Sequence, residues 1–403
     1  MARHLLSFSL RRSSHRLMHR ILLTILVFGV GVSAHAGTMA GGAQHTVVAR
    51  VDGSVWTWGG NGNGQLGDGT TVTKRVPTLL TSLSGVTAVA AGAFHTLVLT
   101  SDGRVRAWGA NADGQLGDGT TTQRTSPVLL SLTSIVAIAA GDYHSLALAS
   151  DGTVWTWGRN SNGQLGDGTT TRNSTPWAVA GIAASAVSAG GAHSAIVKTD
   201  GTVWAWGANS NGQLGDGSTT QRLIPVQMLG ASNAASVVAG GYHTLVIGTD
   251  GMVRATGKNN YGQLGDGTTT QRTSLVDVTL PSACAAVAAG QSHSAALLAD
   301  GTVRTWGYNA SGQLGDGSTT NRSLPTPLSL AGVMAIAAGQ SHTLVMSIDG
   351  VVSVWGATPQ VSSETGRRQA AHYRWRSAEP RVSGRSPLRS SASPLARIRR
   401  PEA

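Results

Sequence analysis

Hydrophobic positions along the chain come in short bursts of period two. Val86-Thr87-Ala88-Val89-Ala90 alternates, as does Thr96-Leu97-Val98-Leu99, and glycine or polar turns bound each burst. That is the pattern of half-buried strands. Asp102-Gly103 is a two-residue hairpin signal that favours positive φ, and Arg104 to Trp108 reads as the returning strand. A stretch rich in Gly, Asn, Asp and Thr follows, and Ser126-Pro127-Val128 opens a further strand. Residues 37–360 show no sustained apolar stripe of period 3.6, so no helix is predicted there.

The pattern repeats every 49 or 50 residues. One marker is a histidine after a run of small residues: His45, His95, His144, His193, His243, His293 and His342. A second is Gly-Gln-Leu-Gly-Asp-Gly, beginning at Gly64, Gly114, Gly163, Gly212, Gly262 and Gly312. Between them lies Asp-Gly-x-Val-x-x-Trp-Gly, as at Asp151 to Gly158. Four short strands and their turns fill about 50 positions. An all-β unit of this period makes a propeller blade or a solenoid coil, and closing seven units into a ring hides the strand edges. The predicted fold is therefore all-β: a seven-bladed β-propeller with four-stranded antiparallel blades. The abrupt start of the first copy at Gly37-Thr38-Met39 predicts a last blade completed by strands from both ends of the chain.

The repeat Ala-Ala-Gly-x-x-His-(Ser/Thr), Asp-Gly-x-Val-x-x-Trp-Gly, Asn-x-x-Gly-Gln-Leu-Gly resembles the regulator-of-chromosome-condensation repeat over residues 37 to about 356. The resemblance implies a seven-bladed propeller. The functions it implies range from nucleotide exchange on a small nuclear GTPase to secreted bacterial inhibitors of β-lactamases, and fold does not choose among them.

Charge separates the body from its ends. The formal charge is +11, but residues 1–36 carry five Arg and no acid, and the stretch after Gln360 carries ten Arg against three Glu. Removing those ends leaves −1 for residues 37–360, so the high pI gives no reason to expect a nucleic-acid partner. Residues 1–36 read as a signal peptide: basic Arg3 to Arg20, an apolar run of twelve from Ile21 to Val32, then Ala34-His35-Ala36 for cleavage. Twelve helical residues rise about 18 Å, short of the roughly 30 Å hydrocarbon core, so no stable membrane anchor is expected. The expected location is periplasmic or extracellular. Cys284 is the only cysteine, which excludes an intrachain disulfide and a cysteine-built zinc site.

The seventh repeat is interrupted. Its next Gly-Gln-Leu-Gly-Asp-Gly is due at position 361, where Val361-Ser362-Ser363-Glu364-Thr365-Gly366 stands. One coding of the motif, GGT CAG CTC GGA GAC GGx, gives Val-Ser-Ser-Glu-Thr when read from its second base. The same shift permits an asparagine codon at Ala357-Thr358. It permits Thr-Thr-Thr-Ser-Arg-Thr-Leu-Pro-Val over Arg367 to Trp375, so the match holds register for about 18 positions. Residues 361–403 are then a frameshift product; the alternative is a disordered Arg/Ser/Pro-rich tail.

Regular spacing argues against chemistry at the repeated residues. Histidines at equivalent positions of successive blades spread round a ring and do not converge on one ion, so each is expected to bond neighbouring backbone groups. Asp68, Asp118, Asp167, Asp216, Asp266 and Asp316 sit between glycines and are expected to cap local turns. Trp58, Trp108, Trp157, Trp206, Trp306 and Trp355 read as packing residues, and Thr256 in the fifth copy as a local weakening. No catalytic constellation, metal site or cofactor motif stands apart from the repeat, so an enzyme is not expected.

Function is sought where the repeat varies. The two residues before each His vary and should line one face: Ala43-Gln44, Ala93-Phe94, Asp142-Tyr143, Gly191-Ala192, Gly241-Tyr242, Gln291-Ser292 and Gln340-Ser341. Phe94, Tyr143 and Tyr242 are aromatic anchors of the kind interfaces favour, with Gln291, Gln340, Tyr261 and Tyr308 as further candidates, and Lys258 varying beside them. The leading expectation is an exported, monomeric, non-catalytic scaffold for a protein partner. The alternatives are an inhibitor of an extracytoplasmic enzyme such as a β-lactamase, a guanine-nucleotide exchange or chromatin-type regulator, and a carbohydrate-binding module or enzyme.

Overall fold

The computed structural model describes residues 38–357 and the strand Ala371–Arg374. The expected signal peptide, and the tail apart from that strand, lie outside the described residues. Seven four-stranded antiparallel sheets form a β-propeller, each sheet built from consecutive strands in chain order, and the described residues contain no helix. The first blade comprises Thr38–Gly41, His45–Ala49, Val55–Gly59 and Lys74–Leu80. The others occupy residues 86–129, 135–178, 184–227, 234–278, 284–327 and 333–374.

The second strand of each blade lies between two neighbouring blades and is buried on both faces, as His95–Thr100 is. The expected half-buried strand at Thr96-Leu97-Val98-Leu99 is thus corrected to a fully buried one. The core is shared out between blades. Leu97, Leu99 and Val105 of the second blade pack with Leu116 and against Ala147 and Trp157 of the third. Fourth strands form the outer rim and alternate half-buried with exposed. Pro77, Pro127, Pro176, Pro225 and Pro325 lie in these edge strands, where a missing N–H is tolerated and further pairing is discouraged.

Gly-Gln-Leu-Gly-Asp-Gly is the clasp between blades. Gln65 O accepts from Trp108 Nε1 and Thr96 Oγ1 of the next blade, both at 2.8 Å. Gly67 has φ +74° and lies against the Trp108 indole, where a Cβ would come within 2.7 Å of Nε1. Gly69 N donates to Thr125 O at 2.9 Å. Within the loop, Asn61 Nδ2 donates to Asp68 and Leu66 N to Asn61 Oδ1. In the fifth blade, Thr256 bonds Gly212 O at 2.9 Å, and the fully buried Met228 reaches Gly215 where the indole would stand. At the position read as a local weakening, a flexible thioether thus takes the place of the indole.

The expected closure by both chain ends is corrected: the first blade supplies its own four strands, and so does the seventh. Closure comes instead from packing. Val48 and Trp58 meet Leu344, Met346, Val352 and Val354, and Gln340 N donates to Gly42 O at 3.1 Å. The seventh blade's fourth strand, Ala371–Arg374, comes from the basic segment beyond residue 360.

Candidate functional site

The hairpins between first and second strands ring the propeller axis. Ala43 N bonds Ala93 O, Ala93 N bonds Asp142 O, and Asp142 N bonds Gly190 O at 3.1, 3.1 and 3.3 Å. Gly191, Gly241, Gln291 and Gln340 continue the series to Gly42, so seven inter-blade bonds close on themselves. The residue after each third strand is tied to the same hairpin, as in Arg159 N to Tyr143 O (2.9 Å), Lys258 N to Tyr242 O (2.9 Å) and Tyr308 N to Ser292 O (2.8 Å). These ties place the hairpin residues, Arg159, Lys258 and Tyr308 on one face of the ring, and Tyr261 joins them through its contact with Tyr308.

The aromatics on that face gather in three groups. The Phe94 and Tyr143 rings are 6.4 Å apart, tilted by 43°, with the Arg159 guanidinium 5.3 Å from the Tyr143 ring. Tyr242 is 36% exposed, with Lys258 Nζ 4.9 Å from its ring centre. Tyr261 and Tyr308, from the fifth and sixth blades, lie 4.6 Å apart. Cation–π contacts at such exposed sites contribute about 0.5–1 kcal/mol and hold each ring in a preset orientation.

Gln340 reaches the axis, where its Nε2 donates to Asp142 Oδ1 at 2.7 Å. The third and seventh blades are not neighbours, so this bond crosses the mouth of the ring. Burial pushes the Asp142 carboxyl up to about 6, partly offset by the Gln340 bond. Its Oδ2 lies toward Gly191, 3.3 Å from where a Cβ would stand there. Gln291 packs over Gly241. Sequence reasoning places Asp142 among the varying hairpin pairs without singling it out, because only the ring brings it to Gln340, and it misses Arg159.

The repeated histidines are fully or almost fully buried. Each Nε2 bonds the hydroxyl of the next blade: His45 to Thr96, His95 to Ser145, His144 to Ser194, His193 to Thr244, His243 to Ser294, His293 to Thr343 and His342 to Thr46. The partner is therefore a side chain across the blade boundary, where the sequence suggests local backbone. Among the repeated aspartates, Asp118, Asp216, Asp266 and Asp316 each hold the following Thr or Ser and an Arg. Asp68 holds Thr70 and Lys74. Asp167 keeps Thr169 and Asn160, with Asn173 where the others have a cation. Among the described residues, no three His, Cys, Asp or Glu are grouped to hold a metal ion.

A closed ring of seven four-stranded blades defines a repeat β-propeller. The RCC1-like domain profile matches residues 31–329 and 129–387, and the chain belongs to that family, whose members are in general binding or regulatory scaffolds. No curated protein matches the chain. Human WBSCR16 is similar at 25% identity over 76% of this chain and 85% of that one, with a TM-score of 0.71. Prp20p of Saccharomyces cerevisiae, described with its binding to Gsp1p and histones, is 24% identical over 80% and 83% of the two chains, TM-score 0.68. Yeast RCC1 (Prp20) in its structure with Kap60 is 21% identical over 88% and 86%, TM-score 0.69. The two yeast likenesses show the fold alone.

Proposed function

We propose that the protein is an exported, non-catalytic scaffold that holds a protein partner on its hairpin face. One observation carries this reading: Phe94, Tyr143, Tyr242, Tyr261 and Tyr308 share one face, several braced by each other or by Arg159 and Lys258. Rigid aromatics bury large area at low entropic cost, which suits them to interface anchoring. The yeast neighbours, described with protein partners, support the same use of the fold. Export is supported by the basic leader and apolar run before residue 37. Inhibition of an extracytoplasmic enzyme is the form of binding that this location favours.

The test is paired affinity capture from the compartment that holds the protein, using the native chain and a Phe94→Ala/Tyr143→Ala/Tyr242→Ala variant of equal thermal stability. A protein retained by the first and lost by the second supports the reading. Equal retention by both overturns the face assignment, and saturable glycan binding without any protein partner overturns the class.

A further inference from the structure

The mouth of the ring is unsymmetrical. On one side of the Asp142–Gln340 bond stand Ala43 and Ala93; on the other stand Gly191, Gly241 and Gln291. No side chain stands beside the carboxylate's second oxygen at Gly191, where a Cβ would lie 3.3 Å from Oδ2. Gln340 is the one donor to the Asp142 side chain among the described residues. The surrounding hairpins bring Ala43-Gln44, Ala93-Phe94, Gly191-Ala192, Gly241-Tyr242, Gln291-Ser292 and Gln340-Ser341, none of them charged. The cations of this face, Arg159 and Lys258, lie over aromatic rings. A half-desolvated carboxylate with a single neutral donor is electrostatically incomplete, and an entering cation would complete it.

The geometry points to a receptor for one Lys or Arg side chain of the protein partner, inserted along the axis onto Asp142 Oδ2 between Gly191 and Gln291. This rests on the protein-binding reading above and adds its specificity element. The aromatics would form the surrounding anchor, and the buried charge would reject partners lacking a cation at that position. Phe94, Tyr143 and Tyr242 flank the mouth from the second position of each hairpin, where they would exclude water from the pair.

The test uses agmatine as a guanidinium probe, n-butylamine as an ammonium probe and n-butanol as the uncharged control, with the side-chain amide resonance of Gln340 as reporter. At pH 7.5 one or both cations should shift that resonance saturably, and n-butanol should not. Asp142→Asn retains an oxygen to accept from Gln340 and should weaken the response at least about ten-fold. In the native chain the response should fall by about half between pH 7.5 and pH 6, above the range in which acid opens the ring, a readout that needs no variant. No saturable shift from either cation, or an equal one in Asp142→Asn, overturns the proposal. If cations bind at Asp142 while the aromatic triple variant still captures its partner, the receptor stands and the aromatic face assignment fails.

Discussion

His95 Nε2 lies 2.9 Å from Ser145 Oγ, and Ser145 in turn donates its only hydroxyl proton to Gln115 O at 2.8 Å. A carbonyl can only accept, so the serine must accept from the histidine, and this assigns the proton to Nε2. The same chain of His, hydroxyl and Gln carbonyl runs through Thr96, Ser194, Thr244, Ser294 and Thr343. Each Nδ1 is buried without a bonded partner among the described residues. Protonating it would bury a charge that nothing there answers.

Acid should therefore open the ring. Burial lowers His45, His95, His144, His243 and His293 to about 3, and His193 and His342 to about 4. A depressed folded-state value means the unfolded chain takes up protons first, so stability is complete above about 6.5 and falls as the pH drops. At pH 5 the loss is roughly 2 kcal/mol per histidine. Seven such losses reach roughly 14 kcal/mol, near the top of ordinary domain stability. Asp142 acts with the opposite sign, gaining stability as it protonates below about 6, but it is one group against seven. Near-ultraviolet circular dichroism should show cooperative unfolding between pH 6 and about pH 4.5. A native spectrum persisting at pH 4 would refute the assignment.

Met228 and Thr256 should be energetically coupled. Thr256→Trp restores the residue found at this position in the other blades but drives the indole into the space Met228 occupies, at a cost of about 1–3 kcal/mol. Thr256→Trp with Met228→Val, which copies Val278 of the next blade, should recover at least about 1 kcal/mol of that loss. Urea melts of the two single variants and the double give the coupling, and strict additivity would show that Met228 does not substitute for the indole.

Gly166 and Gly181 have φ of +72° and +71°, so alanine meets the same backbone strain at both. Their surroundings differ. A Cβ at Gly166 would lie 2.8 Å from Trp206 Nε1, whereas at Gly181 no atom stands within 4 Å. Gly181→Ala should cost about 1 kcal/mol, the ordinary penalty for a left-handed alanine. Gly166→Ala should cost at least about 2 kcal/mol more through the displaced indole. Thermal melts decide this, and equal losses would mean that the clasp yields freely.

The blade count is readable because the same hairpin, histidine and clasp residues recur every 49 or 50 positions, each needed once per blade. The identity of each histidine's partner was half visible. Every repeated His is followed by Ser or Thr, as in His144-Ser145, but that hydroxyl serves the preceding blade's histidine, a relation the closed ring alone reveals. The candidate face followed from the hairpin position of Phe94, Tyr143 and Tyr242. Asp142 belongs to the same varying pairs, but its distinction, a contact with Gln340 198 positions away, does not show in the sequence.

The seventh blade departs from the others at its fourth strand. In the second blade, Ala107 pairs with Val128 and Gly109 with Arg124, across a bulge. In the seventh, Val354 pairs with Ala371 and Ser353 with His372, with no bulge. Gly356 corresponds to Gly109, and position 371 corresponds to Arg124, ten residues past the expected start of the clasp motif. The fourth strand therefore begins in the right place but pairs four residues out of register. Reading the gene with one base restored near the codons for Gly356 and Ala357 would put an arginine at position 371 and a proline at 374, matching Arg124 and Pro127. It would also put the clasp glutamine opposite Trp58 and Thr46, as Gln65 stands to Trp108 and Thr96. Resequencing genomic DNA from the codon for Trp355 to that for Arg376 should reveal the extra base. The corrected protein should then be more stable by about 2–4 kcal/mol, from the added bonds and the indole contact. An unchanged read would mean that the seventh blade closes the ring with this displaced strand, and replacing residues 358–375 by the sixth-blade sequence should then still raise the melting temperature.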